Sequence, residues 1–316
     1  MIDMREQPFG VEIEMTGITR EQAAEVLAQL WETNASYSGG AYSTWTVHDP
    51  EGKEWKLMSD SSIREERWVS GKQYRAGSGS QYAVELVTPK LTYVEIPKLQ
   101  AAARALREAH AKVNSSCGLH VHIDASKHDQ QSLKNLMSIM YSKEDMLFEA
   151  LQVPTDRVER WCKPVRENML QQARRMSSTA SMERLQRIWY QGTPDTYTHY
   201  QSTRYHALNL HSVFYRGTVE FRMFNSTLHA GRVKSYAQLA LAISAQAINQ
   251  RGAQMRKTQS DNPAFTFRTW LLRMGLIGDE FKTARKLLLQ ELEGDKSWRY
   301  DKDVYEKRNS RHEPER

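Results

Sequence analysis

The segment Phe9-Gly10-Val11-Glu12-Ile13-Glu14-Met15 alternates apolar and non-apolar residues with a period of two, and three later segments repeat the pattern. That period belongs to a β-strand, whose successive side chains emerge on opposite faces. Here one face of each strand is apolar and the other carries ionisable groups. In residues 82–87 the apolar set leaves Glu85 pointing away from it. In 117–124, Leu119, Val121 and Ile123 leave His120, His122 and Asp124 on the opposite face. In 219–223, Glu220 and Arg222 are left together.

An idle solvent face would carry threonine, serine, lysine and glutamine. These strands instead gather carboxylates, two imidazoles and a guanidinium. Glu12 and Glu14, two residues apart on one strand, emerge roughly 6–7 Å apart and repel unless a cation or a hydrogen-bond donor lies between them. Carboxylate oxygens suit magnesium or manganese, and imidazole is compatible with manganese. An arginine beside such groups matches the oxygens of a phosphoryl group. One histidine pair or one glutamate reads equally well as a satisfied or solvated group. The conjunction points to a metal and phosphate site.

Further strands are expected at 44–48, 54–58, 206–214 and 218–224, the last two joined as a hairpin through Tyr215-Arg216-Gly217. Helices are expected from about 20 to 32, opened by the capping-box pattern Thr19-Arg20-Glu21-Gln22, and at 94–113, 126–151, 160–191, 232–251, 265–274 and 279–293. The serine- and glycine-rich stretches 34–42 and 75–80 read as loops beside the sheet. Residues from Gly294 onward are densely charged and read as a weakly ordered tail. The expected organisation is a catalytic unit over 1–250, interrupted by a helical insertion at about 126–191, and a helical extension over 251–316.

With 316 residues, 40% of them hydrophobic and 26% charged, the chain can bury a large core. Its apolar windows, such as 239–248, are too short for a membrane span. The first eight residues lack the basic-then-apolar layout of a secretory signal. Only Cys117 and Cys162 are present, too few for a disulfide framework. A cytoplasmic protein is therefore expected. Cys117, at the entrance of the histidine strand, has no nameable orienting partner for a thiol-histidine nucleophile. The net charge of +6 is concentrated between 157 and 187. Together with Trp161, Trp189 and Tyr190 it admits a nucleic-acid-binding reading, although the acidic strand face would repel a phosphate backbone. A zinc hydrolase using His120, His122 and a carboxylate is the other alternative. Against it, carboxylates outnumber histidines.

The segments FGVEIEM at 9–15, DSSI at 60–63, ELVTP at 85–89, CGLHVHID at 117–124, RYHALNL at 204–210 and TVEFRMFNSTL at 218–228 together resemble the amidoligases, distant relatives of glutamine synthetase and glutamate-cysteine ligase. The resemblance spans roughly residues 8–250. It implies an α+β fold with a curved, mostly antiparallel sheet, whose concave face holds two magnesium or manganese ions and the phosphates of ATP. It also implies that Glu12, Glu14, Glu85, His120 and Glu220 are metal ligands, with His122 a neighbour or nucleotide contact and Arg222 the phosphate-binding arginine. Asp60, Arg204 and Asn209 would lie on the substrate side, with Asp60 positioned as a candidate base. The chemistry implied is ligation of a carboxylate to an amine through an acyl phosphate. The identity of both substrates and the oligomeric state are not implied. The chain has no G-x-x-x-x-G-K-[ST] loop, which fits a glutamine synthetase-like mode of nucleotide binding.

Overall fold

A computed structural model describes residues 1–300 apart from 78, 80, 178 and 179. Among the described residues ten strands form in chain order: β1 (Phe9–Met15), β2 (Ala35–Gly39), β3 (Thr44–His48), β4 (Glu54–Met58), β5 (Glu66–Val69), β6 (Lys72–Arg75), β7 (Val84–Val87), β8 (Gly118–Asp124), β9 (Leu208–Asn209) and β10 (Thr218–Asn225). Eight of them make one open antiparallel sheet in the order β2-β3-β4-β7-β1-β8-β10-β9, and β5 pairs with β6 as a separate hairpin. The α+β architecture expected from the sequence is therefore present.

Ten helices accompany the sheet among the described residues: α1 (Arg20–Trp31), α2 (Ile96–Glu108), α3 (Gln130–Leu151), α4 (Thr155–Arg160), α5 (Glu167–Arg174), α6 (Met182–Tyr190), α7 (His211–Arg216), α8 (Ala230–Asn249), α9 (Pro263–Arg273) and α10 (Lys282–Leu288). Helices α1, α3 and α8 pack directly on the sheet, and α2 packs on α1 and α8. The core gathers the apolar face of every central strand: Phe9, Val11, Ile13, Met15, Val84, Leu86, Leu119, Val121, Ile123, Val219 and Phe221 are buried. Each such side chain is worth about 1.5–3 kcal/mol of transfer free energy. A one-residue slip would exchange this face for the ionisable one, so burial fixes the register of the site as well as of the core. The capping box at Thr19 is present, with Gln22 N donating to Thr19 Oγ1 at 3.2 Å. No helix among the described residues is long and apolar enough to cross a membrane.

Several expected elements are corrected. The strand expected at 206–214 is only Leu208–Asn209, because Asn209 Oδ1 accepts Ser212 N and starts α7, which carries His211. Gly217 does take a positive φ of 74°, but it ends that helix and is not the turn of a hairpin. The single helix expected at 160–191 is the end of α4 followed by α5 and α6; Pro164, lacking an N–H, lies in the first break. The loop expected at 34–42 holds β2. β2 is a short edge strand with exposed serines, and Ser36 and Ser38 exchange hydroxyl hydrogen bonds with Thr46 of β3 at 2.8 and 3.1 Å. Of the loop expected at 75–80, Arg75 ends β6, whereas Ser78 and Ser80 lie outside the described residues, as does the charged tail from residue 301. The helix expected at 279–293 is shorter, a 3₁₀ turn followed by α10.

Candidate active site

Strand register brings the ionisable residues together. On β1, Glu12 lies opposite His120 of β8 and Glu14 lies opposite Glu85 of β7. On β10, Glu220 lies opposite His122 of β8 and Asn209 of β9. Two glutamates facing each other across a ladder repel. The Glu14–Glu85 pair stands on two strands whose other face is core, so it is held in place by packing and not by mutual attraction.

The ligand-capable atoms form three overlapping groups: Glu12, His122 and Glu220; Glu12, Glu85 and His120; and Glu14, Asp60 and Glu85, each with its atoms within 4.8 Å of one another. Asp60 arrives from the loop after β4 and has Oδ1 engaged by Ser62 N at 2.7 Å. Arg222 donates to Glu220 Oε1, and Asn209 Nδ2 donates to Glu220 Oε2 at 2.7 Å. Arg204 stands with its guanidinium over the rings of Tyr200 and Tyr205. All ten residues singled out from the sequence thus meet around one site.

The electrostatics are uneven. Burial, with Asp60 beside it, pushes Glu14 up to about 8. Burial and the charges of Glu12, Glu14 and Asp60 push Glu85 well above the usual carboxylate range. Burial also acts on Glu12, but the adjoining His122 and His120 outweigh it and hold Glu12 well below its ordinary value. At Glu220 burial is again outweighed, here by Arg222 and the two histidines, giving about 2. His120, desolvated and close to Arg222, falls to about 4, whereas Glu12 and Glu220 overcome desolvation at His122 and raise it.

The contact with Glu12 selects a tautomer. A neutral His120 that contacts Glu12 Oε2 through Nδ1 at 3.0 Å donates there, which leaves the lone pair of Nε2 turned toward Glu14 Oε1 at 3.8 Å. Lone pair against carboxylate is tolerable only with a proton or a cation between them. His122 Nε2 and Arg222 Nε are buried without a hydrogen bond, although the former lies 3.2 Å from Glu12 Oε1. The donor set, oxygen-rich with imidazole at its margin, fits hard divalent cations.

Beside this layer lies a cavity of about 390 Å³, with Glu14, Asp60, His120, Arg157, Trp161, Tyr200, Arg204, Tyr205 and Arg222 among its lining residues. The hydroxyls of Tyr42 and Tyr200 meet at 2.9 Å across the chain. Arg157, Trp161 and Tyr200 are among the lining residues that were not singled out for this site from the sequence. Arg216 was also missed; read from the sequence as a turn residue, it ends α7 with Nη1 3.8 Å from Glu12 Oε1. Cys117 is buried, and burial pushes its thiol up to about 12, which does not suit a nucleophile.

Gly118, at the start of β8, is where the site is tightest. A Cβ there would lie 2.9 Å from both terminal nitrogens of Arg157 and 3.0 Å from His120 Nε2, while Gly118 N donates to Glu14 Oε2 at 2.5 Å. Gly118→Ala is expected to cost about 1–3 kcal/mol of stability through overpacking, read by urea unfolding; a variant as stable as wild type would remove this steric account.

Titratable groups with opposed shifts, concentrated in one cleft, mark the candidate active site. A family model described as "Putative amidoligase enzyme" matches residues 5–244, more than half of the chain, and the protein belongs to that family. It is accordingly a ligase-type enzyme whose substrates are a carboxylate and an amine. A search of curated proteins finds no match.

Proposed function

We propose that the protein is an ATP-dependent carboxylate–amine ligase that forms an amide or isopeptide bond through an acyl phosphate. The observation that carries this reading is the overlap of three carboxylate-bearing ligand groups, two of which reach a cavity whose lining includes the guanidinium groups of Arg204 and Arg222. Such a layout handles phosphoryl charge from both sides. Glu12, Glu14, Glu85, His120 and Glu220 are the proposed ligands of two magnesium or manganese ions, and His122 and Asp60 lie within reach of the same groups. When bound, the ions would neutralise phosphate oxygens and lower the cost of charge transfer.

The chain's own residues account for the remaining steps. Arg222, fixed by Glu220, presents a planar fork to the transferring phosphoryl group, where donors placed in advance stabilise developing charge. Arg204, held over two tyrosine rings, positions the substrate carboxylate, and Asn209 keeps Glu220 in place. A carboxylate oxygen attacks the γ-phosphorus and the bond to ADP breaks. The amine nitrogen then attacks the acyl carbon and phosphate leaves. Asp60 Oδ2, free of the turn that engages Oδ1, is the group proposed to take the amine's proton. A reaction that consumes ATP, in a chain with two unpaired cysteines, accords with a cytoplasmic location.

Thermal unfolding with magnesium, with magnesium plus a non-hydrolysable ATP analogue, and with zinc tests the reading. The analogue is expected to stabilise the protein only when magnesium is present, by about 2.7 kcal/mol at 100 times its dissociation constant. Stabilisation by zinc alone, with no response to nucleotide, would replace the ligase by a zinc hydrolase.

A further inference from the structure

Strand β10 is not regular. Phe221 pairs with Val121 and Phe224 with Leu119, so three steps along β10 span two along β8. One residue is extra, and Arg222 and Met223 together face His120. This bulge lets Phe221 and Phe224 both stand opposite core-facing residues while Arg222 is left toward the site. A bulge also interrupts the ladder and leaves carbonyl groups in need of donors.

Those donors come from outside the sheet. Arg157, on α4, is buried at 4% exposure. Its Nη1 donates to Cys117 O at 2.9 Å, and its Nη2 donates to Arg222 O and Phe224 O, both at 3.3 Å. The three carbonyls bracket the bulge: Cys117 precedes β8 at the strand end that Phe224 and Asn225 pair with, and the other two lie on β10. A buried guanidinium is costly unless its donors are used; here the two terminal nitrogens meet three carbonyl dipoles, while Nε is buried without a partner. The absence of a side chain at Gly118 is what lets the fork reach this place. In the sequence Arg157 stands among a run of basic residues and reads as part of a solvated, phosphate-attracting surface. Its side chain is instead spent on backbone.

We infer that Arg157 is the positioning residue for Arg222: it locks the β10 bulge, so that the helical segment after α3 sets the direction of the site arginine. The consequence for ligand binding rests on the ligase reading above; the consequence for the bulge does not. Lysine is the informative replacement, since its single ammonium cannot reproduce a two-pronged fork across three carbonyls.

Two measurements on Arg157→Lys, with wild type and Arg222→Ala alongside, test the inference. In hydrogen–deuterium exchange, amides of 222–225 are expected to exchange about tenfold faster in Arg157→Lys, with α3 and α8 unchanged. Unchanged exchange at 222–225, or faster exchange spread over the whole core, overturns the lock. In binding of the magnesium–ATP analogue, Arg157→Lys is expected to weaken affinity about tenfold, while the double variant binds no worse than Arg222→Ala alone, because both changes remove the same interaction. Multiplicative losses, or wild-type affinity in Arg157→Lys, overturn the coupling to Arg222. If wild type itself does not bind the analogue, the ligase reading fails and the exchange result alone decides the positioning role.

Discussion

Replacing Arg222 with alanine is expected to slow amide-bond formation by about 10²–10³-fold, the range seen when one prearranged donor to transition-state charge is removed. It is also expected to cost about 3–5 kcal/mol of stability, because breaking a buried pair leaves the surviving charge uncompensated. The partners are Arg222 and Glu220, with side chains 7% and 4% exposed. Without the guanidinium, Glu220 shares its surroundings with Glu12 and keeps His122 as a counter-charge and the Asn209 amide as a hydrogen-bond donor. Magnesium should restore part of the lost stability, since it adds positive charge to the same layer, but not the rate. ADP release with the cognate substrates and urea unfolding with and without magnesium give the two numbers. A variant that keeps more than a tenth of the wild-type rate would remove Arg222 from phosphoryl stabilisation.

The second expected result is a magnesium effect that grows with pH. Glu14, raised to about 8 from an ordinary 4.5, and Glu85, raised well above that value, are protonated in the metal-free folded chain under conditions where the unfolded chain has released the proton. A folded-state value above the unfolded one means stability that is complete below the unfolded value and is lost as pH rises through the folded value. Each group costs about 1.4 kcal/mol per pH unit over that window. Glu220 has the opposite sign, but its window lies between 4.5 and about 2. His120, lowered from 6.5 to about 4, loses stability only as pH falls through that lower range. Between about pH 6.5 and 8 the raised carboxylates therefore lower stability as pH rises, and His122, also raised, acts with the same sign. With chelator present, unfolding free energy should fall across this interval, and the increment from magnesium should rise as the cation displaces the protons. An increment independent of pH would show that the cation binds elsewhere.

The site was legible in the sequence to the extent that it sits on regular strands. Glu12, Glu14, Glu85, His120, His122, Glu220 and Arg222 could be assigned to one face because the alternate positions are apolar. What alternation could not supply was partnership across strands. That Glu14 faces Glu85, that Glu12 faces His120, and that Asp60 joins Glu14 and Glu85 depend on a strand order, β4-β7-β1-β8-β10, which no local pattern encodes. Irregular backbone was misread for the same reason. Residues 206–214 alternate well enough to pass for a strand, yet the side chain of Asn209 both accepts Ser212 N at the start of α7 and donates to Glu220, and this tie overrides local preference.

The sequence by itself determined the chemistry of one sheet face, the strands that carry it and the family to which they belong, because a period of two and a choice of side chains are local properties. Only the tertiary structure decided where the charges are compensated. Arg157, one basic residue among many in the chain, is buried against the backbone of a bulge, and Arg222 is aimed by that bulge. The reason is physical: a side chain's type is written at its own position, whereas desolvation and hydrogen-bond satisfaction depend on which distant groups packing brings beside it.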